Sequence, residues 1–79
     1  MVTMNLLSID KEHNIAYYHC LPEGKEYNSF NLGLNPVDKE IVSNSLGKRN
    51  SYVVHAAQKI YEFYSEKGSV PKEASSVWC

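Results

Sequence analysis

Between Ser51 and Gly68 the chain reads SYVVHAAQKIYEFYSEKG, and the spacing of its apolar residues leaves little choice of conformation. Val53, Ala56, Ala57, Ile60, Phe63 and Tyr64 recur at three- and four-residue steps, which gathers them on one side of an α-helix. Gln58, Lys59, Glu62, Ser65 and Glu66 fall mostly on the opposite, solvated side. Asn50 or Ser51 supplies an oxygen that can accept from a free backbone N–H of the first turn. Gly68 suits the left-handed conformation that ends a helix, and Pro71 forbids continuation. Glu62 and Glu66 lie toward the negative end of the helix dipole, a mild conflict that Lys67 partly offsets. At about 1.5 Å per residue the predicted helix is roughly 24 Å long. That length covers a small sheet but is not stable alone in water. The remaining residues must supply its partner surface.

They read mainly as strands. In Val2–Ile9 the alternation changes hand: Val2, Met4 and Leu6 share one face, Leu7 and Ile9 the other, as a bulge near Leu6–Leu7, or a strand buried on both faces at its end, would produce. Asp10–Asn14 is polar and turn-like, and Asn14 tolerates positive φ. Ile15–Leu21 is rich in β-formers and completes a hairpin; Ile15, Tyr17, His19 and Leu21 face one way, Ala16, Tyr18 and Cys20 the other. Pro22-Glu23-Gly24 is the next turn. Tyr27–Leu34 alternates again, with Phe30, Leu32 and Leu34 opposed to Ser29, Asn31 and Gly33. Two readings stand for residues 35–47. Asn35-Pro36 and Gly47 have the punctuation of a short helix. Yet the apolar residues scatter around a helical wheel, and Ile41-Val42 favours a turn at Asn35–Asp38 followed by a strand from about Lys39 to Ser45. In the tail, Val70, Val77 and Trp78 are expected to fold back, because a lone Trp carries a large apolar group.

The expected architecture is a single α+β domain over residues 1–79: an antiparallel three- or four-stranded meander with one C-terminal helix packed on one face. Seventy-nine residues leave no room for a second core, and 22% charged with 43% hydrophobic residues is ordinary globular usage. The opening MVTMNLLSID lacks a basic segment and a long apolar run, and no stretch approaches a membrane span. A soluble, cytoplasmic protein is expected, with Cys20 and Cys79 reduced and not bonded to each other.

YYHCLPEGKEYNSF, a helix containing YVVHAAQKI, and GSVPKEASSVW near the end together resemble a set of small uncharacterised bacterial single-domain proteins. These share an aromatic–Pro-Glu-Gly turn, a Tyr-x-x-His-Ala helix start and a C-terminal Trp. The resemblance covers most of the chain and implies one whole domain, with no activity, cofactor or partner attached.

The chemistry-bearing residues are few. His19, Cys20 and His55 contain the parts of a thiol nucleophile and its base, but His19 and Cys20 point to opposite faces of one strand, and no oxyanion element accompanies them. Cys20 reads better as a small core residue. His13, His19, His55, Cys20 and Cys79 lack CxxC or HxxxH spacing, so neither metal nor cofactor is expected. Lys48 and Arg49 precede a helix N-terminus, where an anion is favoured, without the glycines of a phosphate loop. The six tyrosines suit half-buried sheet faces and contact surfaces, and Tyr17, Tyr18 and Tyr27 are the candidates for an exposed one.

A net charge of −1 lacks the basic excess of a duplex-binding protein. The expected role is a non-catalytic interaction or regulatory module that binds a protein partner, or a second copy as a homodimer, through an uncovered sheet face or edge. The alternative is a nucleic-acid-binding module using Lys48, Arg49 and tyrosines; a Cys/His enzyme is the remote one.

Overall fold

The computed structural model describes residues 1–78 and contains, in order, β1 (Val2–Asp10), β2 (Ile15–Pro22), β3 (Phe30–Asn35), β4 (Glu40–Asn44), α1 (Ser51–Lys67) and β5 (Glu73–Ser76). The strands form one antiparallel sheet in the order β4-β3-β2-β1-β5. The first four are the meander. Helix α1 then carries the chain from the β4 edge back across the sheet, so that β5 can pair with β1. Nothing in Glu73–Ser76 (EASS) announces a strand; its pairing with Val2–Asn5 makes it one, since strand preference is set largely by neighbours.

Local chemistry explains most boundaries. The register of β1 against β2 shifts between Leu6 and Ser8, where the apolar alternation changes hand. Asn14 takes φ 57° in the β1–β2 turn. After β2, Glu23 (φ 52°) and Gly24 (φ 72°) turn the chain, and the irregular stretch continues through Asn28 (φ 62°). The expected strand from Tyr27 therefore starts only at Phe30: Ser29 N–H donates to Glu26 O, closing a turn that keeps Tyr27 out of the ladder. The Asn35 side chain accepts from the N–H groups of Val37 and Asp38, and Lys39 turns at φ 57° before β4. Residues 35–47 are thus a turn and a strand, not a short helix.

All of the fully buried apolar residues gather between the sheet and α1. The sheet supplies Val2, Met4, Ala16, Tyr18, Cys20, Phe30, Leu32 and Leu34; the helix supplies Val53, Ala56, Ala57 and Ile60. The buried stripe on α1 ends at Ile60, with Phe63 and Tyr64 half-buried beyond it. Asn50 caps the helix by accepting from Val53 N–H, and Gly68, at φ 74°, closes it by donating to Tyr64 O. In the tail, Val70 and Trp78 pack on the core as expected, whereas Val77 points into solvent. Trp78 stacks on His55 with ring centroids 4.0 Å apart and meets Tyr52 edge-on at 5.6 Å.

Candidate functional site

The sheet face opposite α1 is open. Residues paired directly across strands share a face, so Ser75, Thr3 and Leu21 form one row of it, Glu73, Asn5, His19 and Asn31 the next, and Ser8, Tyr17, Gly33 and Ser43 a third. This face is mostly polar, with Ile15, Tyr17 and Leu21 half-buried. Tyr17 lies across Gly33: a β-carbon there would come 2.9 Å from its ring and 2.5 Å from Ser43 Oγ. The missing side chain at position 33 is what lets the ring lie down. Tyr18, expected as a third tyrosine of the contact surface, is instead fully buried on the helix side, and its hydroxyl donates to Pro71 O. Adjacent strand residues cannot share a face, so Tyr17 and Tyr18 could not both be outside.

Tyr27 is 81% exposed but belongs to the β2–β3 loop, not to the sheet. There it lines a cleft of about 340 Å³ with Lys25, Lys48, Asn50 and Tyr52. The fold thus brings Tyr27 and Lys48 together, although 20 residues separate them in sequence. Arg49 does not join them; it lines a different groove, with Glu40 and Tyr61. Lys48 and Arg49 do line one shallow groove together, beside Val42, Asn44 and Gly47 on the β4 side, away from Tyr27. Glu23 forms the cleft's acidic wall. Its Oε2 accepts from the Met1 amine and from the Tyr52 hydroxyl, both at 2.9 Å, and these bonds, the amine's first, hold its carboxyl below the usual range.

At the other end of the sheet β1 outruns β5. Strand β5 pairs only with Val2–Asn5, and one further bond, from Leu6 N–H to Lys72 O, ends the ladder. Beyond it, Leu7 is the unpaired bulge residue and Ser8, Ile9 and Asp10 pair with β2 on one side, while no strand among the described residues flanks the other. Leu7 and Ile9 are each about half exposed there. Ile9 also borders a groove of about 190 Å³ lined by Ile15, Pro36, Val37, Tyr64 and Val70, an apolar trough beside an open backbone edge. No sequence pattern marks this place, because the length of β1 is visible but the shortness of its neighbour is not.

The Cys and His residues do not converge. Cys20 is buried in the core, where burial pushes its thiol up to about 12; His19 lies on the open face; His55 stacks on Trp78. Cys79 is outside the described residues, and with it the expectation about its pairing with Cys20. Among the described residues no three His, Cys, Asp or Glu side chains gather as a metal shell, and no helix is long and apolar enough to cross a membrane. Compared with family models, curated proteins and solved structures, the chain matches none of them, so its site is read from its own geometry.

Proposed function

We propose that this protein is a non-catalytic interaction module that presents the open half of β1 to an extended protein strand, and that this strand is the same segment of a second copy. The observation that supports the reading is the unflanked edge at Leu7–Asp10 beside the apolar groove. A row of free backbone donors and acceptors is best satisfied by another extended chain, and alternate side chains of that chain then find the groove. Antiparallel pairing of one segment with itself about a two-fold axis is self-complementary, and a net charge of −1 adds little repulsion between copies. Sedimentation equilibrium over a concentration series tests it. The expected mass is twice 9.0 kDa at micromolar concentration, falling to the monomer in Leu7→Lys. A single monomer mass up to high micromolar concentration removes the second copy and leaves a foreign strand as the occupant.

A second reading is favoured by the meeting of Tyr27 with Lys25 and Lys48 in one cleft. There a base of single-stranded nucleic acid would stack on the exposed ring while the lysines meet the flanking phosphates. Anisotropy of a labelled oligonucleotide tests it, with a log–log salt slope of about −1.4 expected for two neutralised phosphates. Lys48→Ala should roughly halve that slope.

A further inference from the structure

His19 projects from β2 onto the open face, and each nitrogen of its ring meets an oxygen. Nδ1 lies 2.7 Å from Asn31 Oδ1, and Nε2 lies 2.7 Å from Glu26 Oε1. A neutral imidazole has one N–H and one lone pair, so it can donate to only one of these acceptors; the imidazolium donates to both. The two anchors differ in kind. Asn31 is part of β3, and its backbone N–H and carbonyl are both engaged by Ser45. Glu26 belongs to the loop between β2 and β3, the same loop that exposes Tyr27. The ring therefore ties a loop to a strand of the sheet.

We propose that His19 is a proton-operated latch: charged, it clips residues 25–28 of the loop to the sheet through Glu26 and so fixes Tyr27 in the wall of the cleft; neutral, it can donate to only one of its two acceptors and its hold on Glu26 loses the ion pair. The neighbours of the ring favour the charged form. From β1 the residue opposite is Asn5, which is neutral; beyond it on β5 stands Glu73. From β3 comes Asn31, and from the loop come Glu26 and, before it, Lys25; α1 covers the other face. Tyr17 and Leu21 flank His19 on its own strand, and Ser29 shares Glu26 Oε1 at 3.4 Å. The bonds to Asn31 and Glu26 accordingly raise the ring's proton affinity above its ordinary value of 6.5. Because the folded value is the higher one, the latch's contribution is fully present below 6.5 and is lost as pH rises through the folded value. The latch works the same way whichever partner the molecule takes.

Nitrogen-15 NMR of the His19 ring, together with amide exchange of residues 25–28 over a pH series, tests this. After correction for intrinsic exchange, the loop amides should exchange several-fold faster once His19 has lost its proton, and both ring nitrogens should carry hydrogen below that point. Glu26→Gln should lower the His19 midpoint and flatten the pH dependence of the loop. His19→Gln, which keeps a neutral hydrogen-bonding side chain, should leave the loop fast at every pH, with Trp78 fluorescence reporting an intact fold. A lone pair on Nδ1 at slightly acid pH would overturn the latch, since Asn31 would then be donating to a neutral ring. Loop exchange that stays level through the His19 titration, in a folded protein, overturns it as well.

Discussion

At the scale of single residues, burial and backbone spacing decide what each side chain does. Ile60 is fully buried and is the last residue of the helix's buried stripe. Ile60→Ala should cost about 2–5 kcal/mol in a denaturant melt, a large share of what a small domain has. A loss under about 0.5 kcal/mol would place the helix differently. Gly33 is a subtler case. Alanine there must push aside both the Tyr17 ring and Ser43 Oγ, so Gly33→Ala should cost about 1–3 kcal/mol and shift the Tyr17 ring resonances. Alanine in both Gly33 and Tyr17 should recover part of that loss, because the ring is then gone. The alternation that separates Tyr17 from Tyr18 was legible in the sequence, and so was the core role of Cys20. The use of Gly33 was not, since a glycine's empty volume acquires meaning only when a partner strand sets a ring across it.

At the scale of elements, α1 carries its own start and stop signals. Its cap rests on one bond, from Val53 N–H to Asn50 Oδ1 at 3.0 Å. Asn50→Ala should therefore cost about 1 kcal/mol, read as a lower midpoint of chemical unfolding at unchanged slope, while Asn50→Asp should retain most of the stability. An equal loss in both variants would show that the Oδ1 acceptor is not what matters. Such signals are local, which is why the helix could be read from neighbouring residues alone, and the bulge in β1 and the turn at Asn35–Asp38 each as one of two readings. Strand β5 could not. Its four small or polar residues become a strand because Val2–Asn5 offers them a ladder, an event some 70 residues away in sequence. The same distance hid the candidate site, for the cleft joins Tyr27 to Lys48 and the open edge depends on where β5 stops.

For the whole molecule, one feature of the sheet reaches beyond stability and binding. Val2 pairs with Ser76, and the antiparallel register runs from there to Asn5 opposite Glu73. Force applied by handles on the two chain ends would enter at the Val2–Ser76 end and separate β1 from β5 one bond at a time, like a zip. Handles on Asp10 and Ser76 would load the same few bonds together, in shear along the strands. The direction of pull, not the number of bonds, should then set the mechanical strength. Single-molecule extension is expected to open the molecule at a markedly lower force from its ends than from Asp10 and Ser76. Equal forces in the two geometries would mean that the barrier to forced unfolding lies elsewhere in the sheet. A partner that pairs with Leu7–Asp10 would lie in line with β5 and leave this seam as the first part of the molecule to yield under load.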